Sequence, residues 1–162
     1  MHIVGGIYHE KSVFPSGDVI YGSGGRAASA LSELTRNIQL SSFVGHNKRA
    51  DIEYHAEHVW EIELTKYFVP ETVSFTYYHG LSDPIIRPAR LPFLDAPTIV
   101  VTASVVLQFG MLEGKAIVHG NRVVYDPQNP ETPEQFPSSF LITEGKLIHR
   151  FRCGRGENFK AI

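Results

Sequence analysis

A chain of 162 residues with 43% hydrophobic and 11% aromatic content is the size of one domain and carries enough apolar side chains for a full core. Fifteen Lys and Arg against 17 Asp and Glu leave a formal net charge of -2, which excludes the basic field that a nucleic-acid or membrane-surface binder needs. The one cysteine, Cys153, has no intrachain disulfide partner, as expected in the cytoplasm, and no apolar run approaches the roughly 20 residues of a membrane helix.

The start, MHIVGGIYHE, lacks a basic lead and a long apolar run, so residues 2–8 read as a strand and not as a signal peptide. Residues 18–21 end a second strand, and three glycines, Gly22, Gly24 and Gly25, follow at once. From Arg26 the apolar positions Ala27, Ala30, Leu31, Leu34 and Ile38 fall at helical spacing, with Ser29, Ser32, Glu33 and Arg36 opposite. Residues 38–44 read as a strand leaving through Gly45-His46-Asn47, and residues 49–64 as a helix.

In residues 72–79 alternation is strict, with Val73, Phe75, Tyr77 and His79 on one face. The turn Leu81-Ser82-Asp83-Pro84 returns the chain through residues 85–87 as a hairpin. Residues 97–106, PTIVVTASVV, form a continuous apolar run that predicts a strand buried on both faces of a parallel sheet. A helix over 110–119 and a strand over 122–125 complete a right-handed βαβ unit. Two short strands, FLIT and KLIHRF, flank Glu144-Gly145 near the end.

The glycine junction admits several readings. Gly22-x-Gly24-x-x-Ala27 is a loose dinucleotide fingerprint, but the next strand ends in Val44-Gly45-His46-Asn47, without the acid that holds a ribose. No Gly-Lys-Ser/Thr follows, which removes a Walker loop. What stays open is a tight turn with no ligand, or a helix N-terminus with Arg26 over a hydroxyl-rich or anionic small ligand. His55 and His58 have the spacing of a metal pair but no third ligand nearby, and exposure alone explains them. Cys153 has no identifiable histidine and acid pair, and no Gly-x-Ser-x-Gly elbow occurs.

GSGGRAASALSEL, following HIVGGIYHE and preceding IQLSSFVG, resembles the N-terminal signature of the ribokinase-like (PfkB) family of sugar and nucleoside kinases. The resemblance continues in order through the alternating strand at 73–80, the run at 97–103 and VVYDPQNP at 123–130, which is similar to a family strand ending in Asp-x-Asn-x. It implies an α/β fold: a three-layer sandwich with a mostly parallel sheet flanked by helices, and a small β lid from strands at about 10–21 and 72–88, all in one domain over 1–162. It also implies a substrate site of Glu10, Gly22, Ser23, Gly24, Gly25, Arg26, Asp126 and Asn129. An Asp at the carboxyl end of a parallel strand is also where an open α/β sheet binds ligands.

The departures from the pattern carry their own expectations. Glu10 stands where the family usually has Asp, and Arg26 where it most often has Asn, which suits a ligand carrying a phosphate. The resemblance stops at about residue 130, before the family's Asn-x-x-Glu motif and Gly-Ala-Gly-Asp-like loop, and Gly154-Arg155-Gly156-Glu157 is a poor substitute. ATP and Mg²⁺ are therefore implied by the family while their binding motifs are absent from the chain. Phosphoryl transfer rests on positioning and charge stabilisation, so the expectation is the substrate half of a sugar or nucleoside kinase, truncated before the nucleotide-binding half and inactive alone. The alternative is a non-catalytic, kinase-derived binding or regulatory subunit. A sheet cut near its middle would leave residues 121–125 or a neighbour as an open edge, favouring a homodimer or a partner that completes the sheet.

Overall fold

A computed structural model describes residues 1–127 and the strands at 139–144 and 147–152. A seven-stranded sheet forms the middle layer, from β1 (His2–Val4), β4 (Gln39–Gly45), β5 (Glu63–Val69), β9 (Val105–Phe109), β11 (Arg122–Asp126), β12 (Ser139–Glu144) and β13 (Leu147–Arg152). Its order is β13-β12-β11-β9-β1-β4-β5, parallel throughout except for the antiparallel β12–β13 pair. A separate four-stranded sheet joins β2 (His9–Phe14), β3 (Gly17–Ile20), β6 (Ser74–His79) and β7 (Ile85–Arg87) in the order β3-β2-β6-β7.

Successive strand side chains point to opposite faces, so β1 sends Ile3 to one core and Val4 to the other. On the Ile3 side lie α1 (Gly22–Ser32) and α2 (Arg49–Tyr54), with Ala28, Ile52, Ala56 and the fully buried Trp60 packed on Leu40 and Val44. On the Val4 side the cover is a two-stranded parallel sheet, β8 (Ile99–Thr102) and β10 (Ala116–His119), with Phe93, Ala96 and Met111 at its margin. The architecture is α/β and three-layered, but among the described residues only one outer layer is helical.

That difference arises in two segments that build the outer two-stranded sheet. Residues 97–106 are two strands in two sheets, and β8 is buried on one side only: Ile99 and Val101 face the core while Val100 and Thr102 are exposed. The expected helix at 110–119 is a loop leading into β10, where Val118 is buried between exposed Ile117 and His119, an alternation of period two. The parallel pairing of β9 with β11 holds, with a strand in place of the crossover helix.

The helix expected over 49–64 ends early. After Tyr54 it widens into a π turn over His55–Val59, Trp60 N–H donates to His55 O at 2.8 Å, and Glu61 turns the chain at φ 52° into β5. Burial of the Trp60 indole beneath α1 takes precedence over continued helical periodicity. The first strand is also shorter than expected, leaving the sheet after Val4 at the Gly5-Gly6 pair. Residues 121–125 are not an edge, because β11 is paired on both sides, with β9 and β12. The hairpin of β6 and β7 and the two terminal strands form as expected.

Candidate functional site

The glycines at the junction are used by backbone packing. α1 starts at Gly22, whose φ of +67° is disfavoured for any side chain, and a Cβ there would lie 2.5 Å from Gly6 O. A Cβ on Gly24 would lie 2.6 Å from Gly5 O, and one on Gly25 would lie 2.9 Å from the Trp60 ring. The first turn of α1 therefore lies directly on the Gly5-Gly6 segment that leaves β1, and Gly24 N–H donates to Gly6 O at 2.9 Å.

Glu10 closes this turn from β2. Its Oε1 accepts from Gly22 N–H at 2.8 Å, and its Oε2 pairs with the Arg26 guanidinium, which lies 5.1 Å over the Tyr21 ring. The Glu10 side chain is 16% exposed and that of Arg26 58%, so the carboxylate is held in place and the guanidinium reaches solvent. The two charges offset each other, and the junction presents an oriented carboxylate without a net positive field. Beside it stands an aromatic row, Tyr8 on Phe75 at 5.2 Å and Phe75 stacked on Tyr77 at 6.3 Å between centroids. Burial, and secondarily the Glu10 carboxylate, raises the Tyr77 hydroxyl above its ordinary range while Arg26 opposes, which places Tyr77 in the field of that pair.

Of the expected site residues, Glu10, Gly22, Ser23, Gly24, Gly25 and Arg26 come together in this one turn. Ser23 Oγ is buried without a hydrogen-bond partner among the described residues. Asp126 ends β11 at the same carboxyl edge of the sheet, with β9 between it and β1, and its carbonyl accepts from Gly110 N–H at 2.8 Å. Asn129 and the stretch 154–157 lie outside the described residues.

Other residues at the site were not expected. Tyr8 covers Gly6 so closely that a Cβ there would meet its ring at 2.2 Å, and its hydroxyl donates to Glu113 Oε2 at 3.2 Å. Glu113 is 1% exposed, and burial pushes its carboxyl up to about 7. The visible signal was the Gly5-Gly6 doublet, which a plain strand does not need. On the face of β2 away from Glu10, His9 Nε2 meets Asp18 Oδ1 at 2.5 Å beside a cavity of about 220 Å³ that Lys48, Asp51 and His55 also line. His55 Nδ1 is engaged with Asp51 O at 2.7 Å, and His58 is exposed beside Glu57.

The α1 turn does not suit a nucleotide phosphate. α1 is the one helix of eight residues or more among the described residues, and its Gly22 and Gly24 amides are already bonded to Glu10 and Gly6. No group of three or more His, Cys, Asp or Glu side chains among the described residues is arranged to hold a metal ion. Nor is any helix among them long and apolar enough to cross a membrane.

No family model matches the sequence, and no curated protein matches it at a significant level. Solved structures do match. A pyrophosphate-dependent kinase of the ribokinase family, complexed with a pyrophosphate analog and myo-inositol, aligns over 94% of this chain and 76% of its own at TM-score 0.51 and 10% identity. A pyrophosphate-dependent myo-inositol-1 kinase, converted by mutation into a myo-inositol-3 kinase, aligns over 94% and 74% at TM-score 0.52 and 11% identity. A microbiome-derived acarbose kinase aligns over 96% and 72% at TM-score 0.50 and 10% identity. With its parallel central sheet, its glycine junction at the carboxyl edge and its second small sheet, the chain has a ribokinase-like fold.

Proposed function

We propose that the chain binds a neutral polyol, a sugar, cyclitol or nucleoside, at the carboxyl edge of the central sheet, between the α1 junction and the four-stranded sheet acting as a lid. The observation that carries this reading is the Glu10 carboxylate, fixed by the Gly22 amide and Arg26 and flanked by Phe75 and Tyr77. An oriented carboxylate accepts from vicinal hydroxyls, and aromatic rings pack on the apolar faces of a sugar or base. Ser23, Gly24, Gly25, Asp126 and Asn129 complete the site in this reading. Because Arg26 is neutralised by Glu10, an uncharged ligand suits the junction better than a phosphorylated one.

Three of the matched structures are kinases by name, and phosphoryl transfer to a bound hydroxyl is the reaction this fold suggests. ATP with Mg²⁺ is the donor the sequence resemblance implies, while two of the names specify pyrophosphate. With its Gly22 and Gly24 amides bonded, the α1 turn serves substrate and not donor phosphates in either reading, the second being a kinase-derived module that binds without catalysing.

The test is calorimetry or thermal shift of the full chain against myo-inositol, ribose, glucose and adenosine. At least one is expected to bind, with Glu10→Ala and Arg26→Ala weakening it tenfold or more. Binding unchanged in both variants, or no binding by the whole panel, removes this site assignment.

A further inference from the structure

We propose that Glu113 is a positioning residue: through Tyr8 it fixes how the four-stranded sheet sits on the glycine junction, so that ligand binding there depends on the buried Glu113–Tyr8 tie. The inference deepens the polyol-site reading and rests on it for its ligand.

The geometry runs in one line. Glu113 follows β9 in the loop that covers the Val4 side, and Phe93 N–H donates to its carbonyl at 2.9 Å. Its side chain, 1% exposed, accepts from the Tyr8 hydroxyl at 3.2 Å, and that hydroxyl accepts from Leu112 N–H at 3.3 Å. Tyr8 in turn lies on Gly6, the residue whose carbonyl holds the Gly24 amide at the start of α1. Its ring packs on Phe75 of β6, 5.2 Å away, and its carbonyl accepts from Tyr21 N–H at 3.0 Å. One side chain thus touches the junction floor, the second sheet and a buried carboxyl.

The groups acting on the Glu113 carboxyl are the Tyr8 hydroxyl and the amides of Leu112 and of Glu113 itself, none of them a charged side chain. Burial holds this carboxyl at about 7, so it changes charge near neutral pH. Tyr8, raised well above its own ordinary value by burial and by Glu113, stays protonated and remains a donor. Above neutrality the tie is charge-assisted, roughly twice as strong as the neutral bond that replaces it below. That gain is smaller than the cost of burying the charge, which is what holds the carboxyl near 7, so the Tyr8 ring, and with it the seat of β6, loosens as pH rises.

The experiment uses the full chain, Glu113→Gln and Tyr8→Phe, between pH 6 and pH 8. Hydrogen exchange, corrected for intrinsic rates, is read at Ser74–His79, and the Kd is read for whichever polyol binds. In the parent chain, protection of Ser74–His79 is expected to fall and the Kd to weaken threefold or more towards pH 8. Glu113→Gln is expected to be flat, because Gln keeps the shape without the charge, and Tyr8→Phe to be less protected than the parent at both pH values, because Phe keeps the ring without the hydroxyl. If exchange responds but no polyol binds, the ligand reading fails and the positioning role stands. An absent exchange response in the parent, the same response in Glu113→Gln, or protection in Tyr8→Phe equal to that of the parent, overturns the proposal whatever the binding result.

Discussion

Glu113 also has a thermodynamic signature independent of any ligand. A carboxyl whose folded value of about 7 lies above its ordinary 4.5 keeps its proton longer in the folded state than in the unfolded one. The folded chain is therefore most favoured below pH 4.5 on account of this group, and loses stability as pH rises from there towards 7. A difference of this size corresponds to about 3 kcal/mol in all. Urea unfolding at pH 5 and pH 8 is expected to show this decline superposed on the other titrations, and Glu113→Gln to remove it; equal pH dependence in the two proteins would contradict the assignment. That Glu10 and Arg26 meet at the glycines was legible because their chemistry and their order around the glycines stand out in one short stretch. Tyr8 and Glu113 were not, because their contact joins positions 105 residues apart. Nothing local marks a lone Glu, in a loop that reads as helix, as a buried one.

At the scale of elements, α1 shows how its sequence dictates its seat. Gly22, Gly24 and Gly25 are buried in its first turn, where a surface helix would show polar side chains, so it enters with its backbone against Gly5-Gly6 and the Trp60 ring. The two contacts differ in kind. A methyl on Gly24 meets the Gly5 carbonyl, which cannot move without displacing β1, whereas one on Gly25 meets the edge of an indole. Gly24→Ala is accordingly expected to cost about 1–3 kcal/mol or more, and Gly25→Ala less, in chemical denaturation. A reversed order would mean that Trp60, and not the β1 exit, limits how closely α1 approaches. Elements with a clean single period, α1, β4 and the β6–β7 hairpin, were legible from spacing alone. Those at 49–69 and 97–119 were not, since a buried Trp60 ends one helix and a two-stranded outer sheet replaces another, both decided by tertiary packing.

At the scale of the molecule, the two sheets set what the chain can do alone. The four-stranded sheet leaves Val13, Phe14, Tyr78, Ile85 and Ile86 exposed, and β7, which carries Ile85 and Ile86, is an edge strand paired on one side only among the described residues. An apolar edge of this kind invites a second copy, so the chain is expected to run as a dimer in light scattering, and a monomer at micromolar concentration would count against it. Catalysis is a different matter. A phosphoryl donor needs amides or cations aimed at its charge, and the Gly22 and Gly24 N–H groups of the α1 turn are bonded to Glu10 and Gly6. Arg26, the cation nearest that turn, is paired with Glu10. Freeing either would dismantle the junction, so the ligand-binding role proposed for it and a donor role would compete for the same groups. The purified 162-residue chain is therefore expected to transfer no phosphoryl group from ATP or from pyrophosphate, with or without Mg²⁺, to any polyol that it binds. A radiolabelled-donor assay on the same panel used for binding decides this, and a product formed above the level of a Glu10→Ala control would show that donor groups exist elsewhere in the chain.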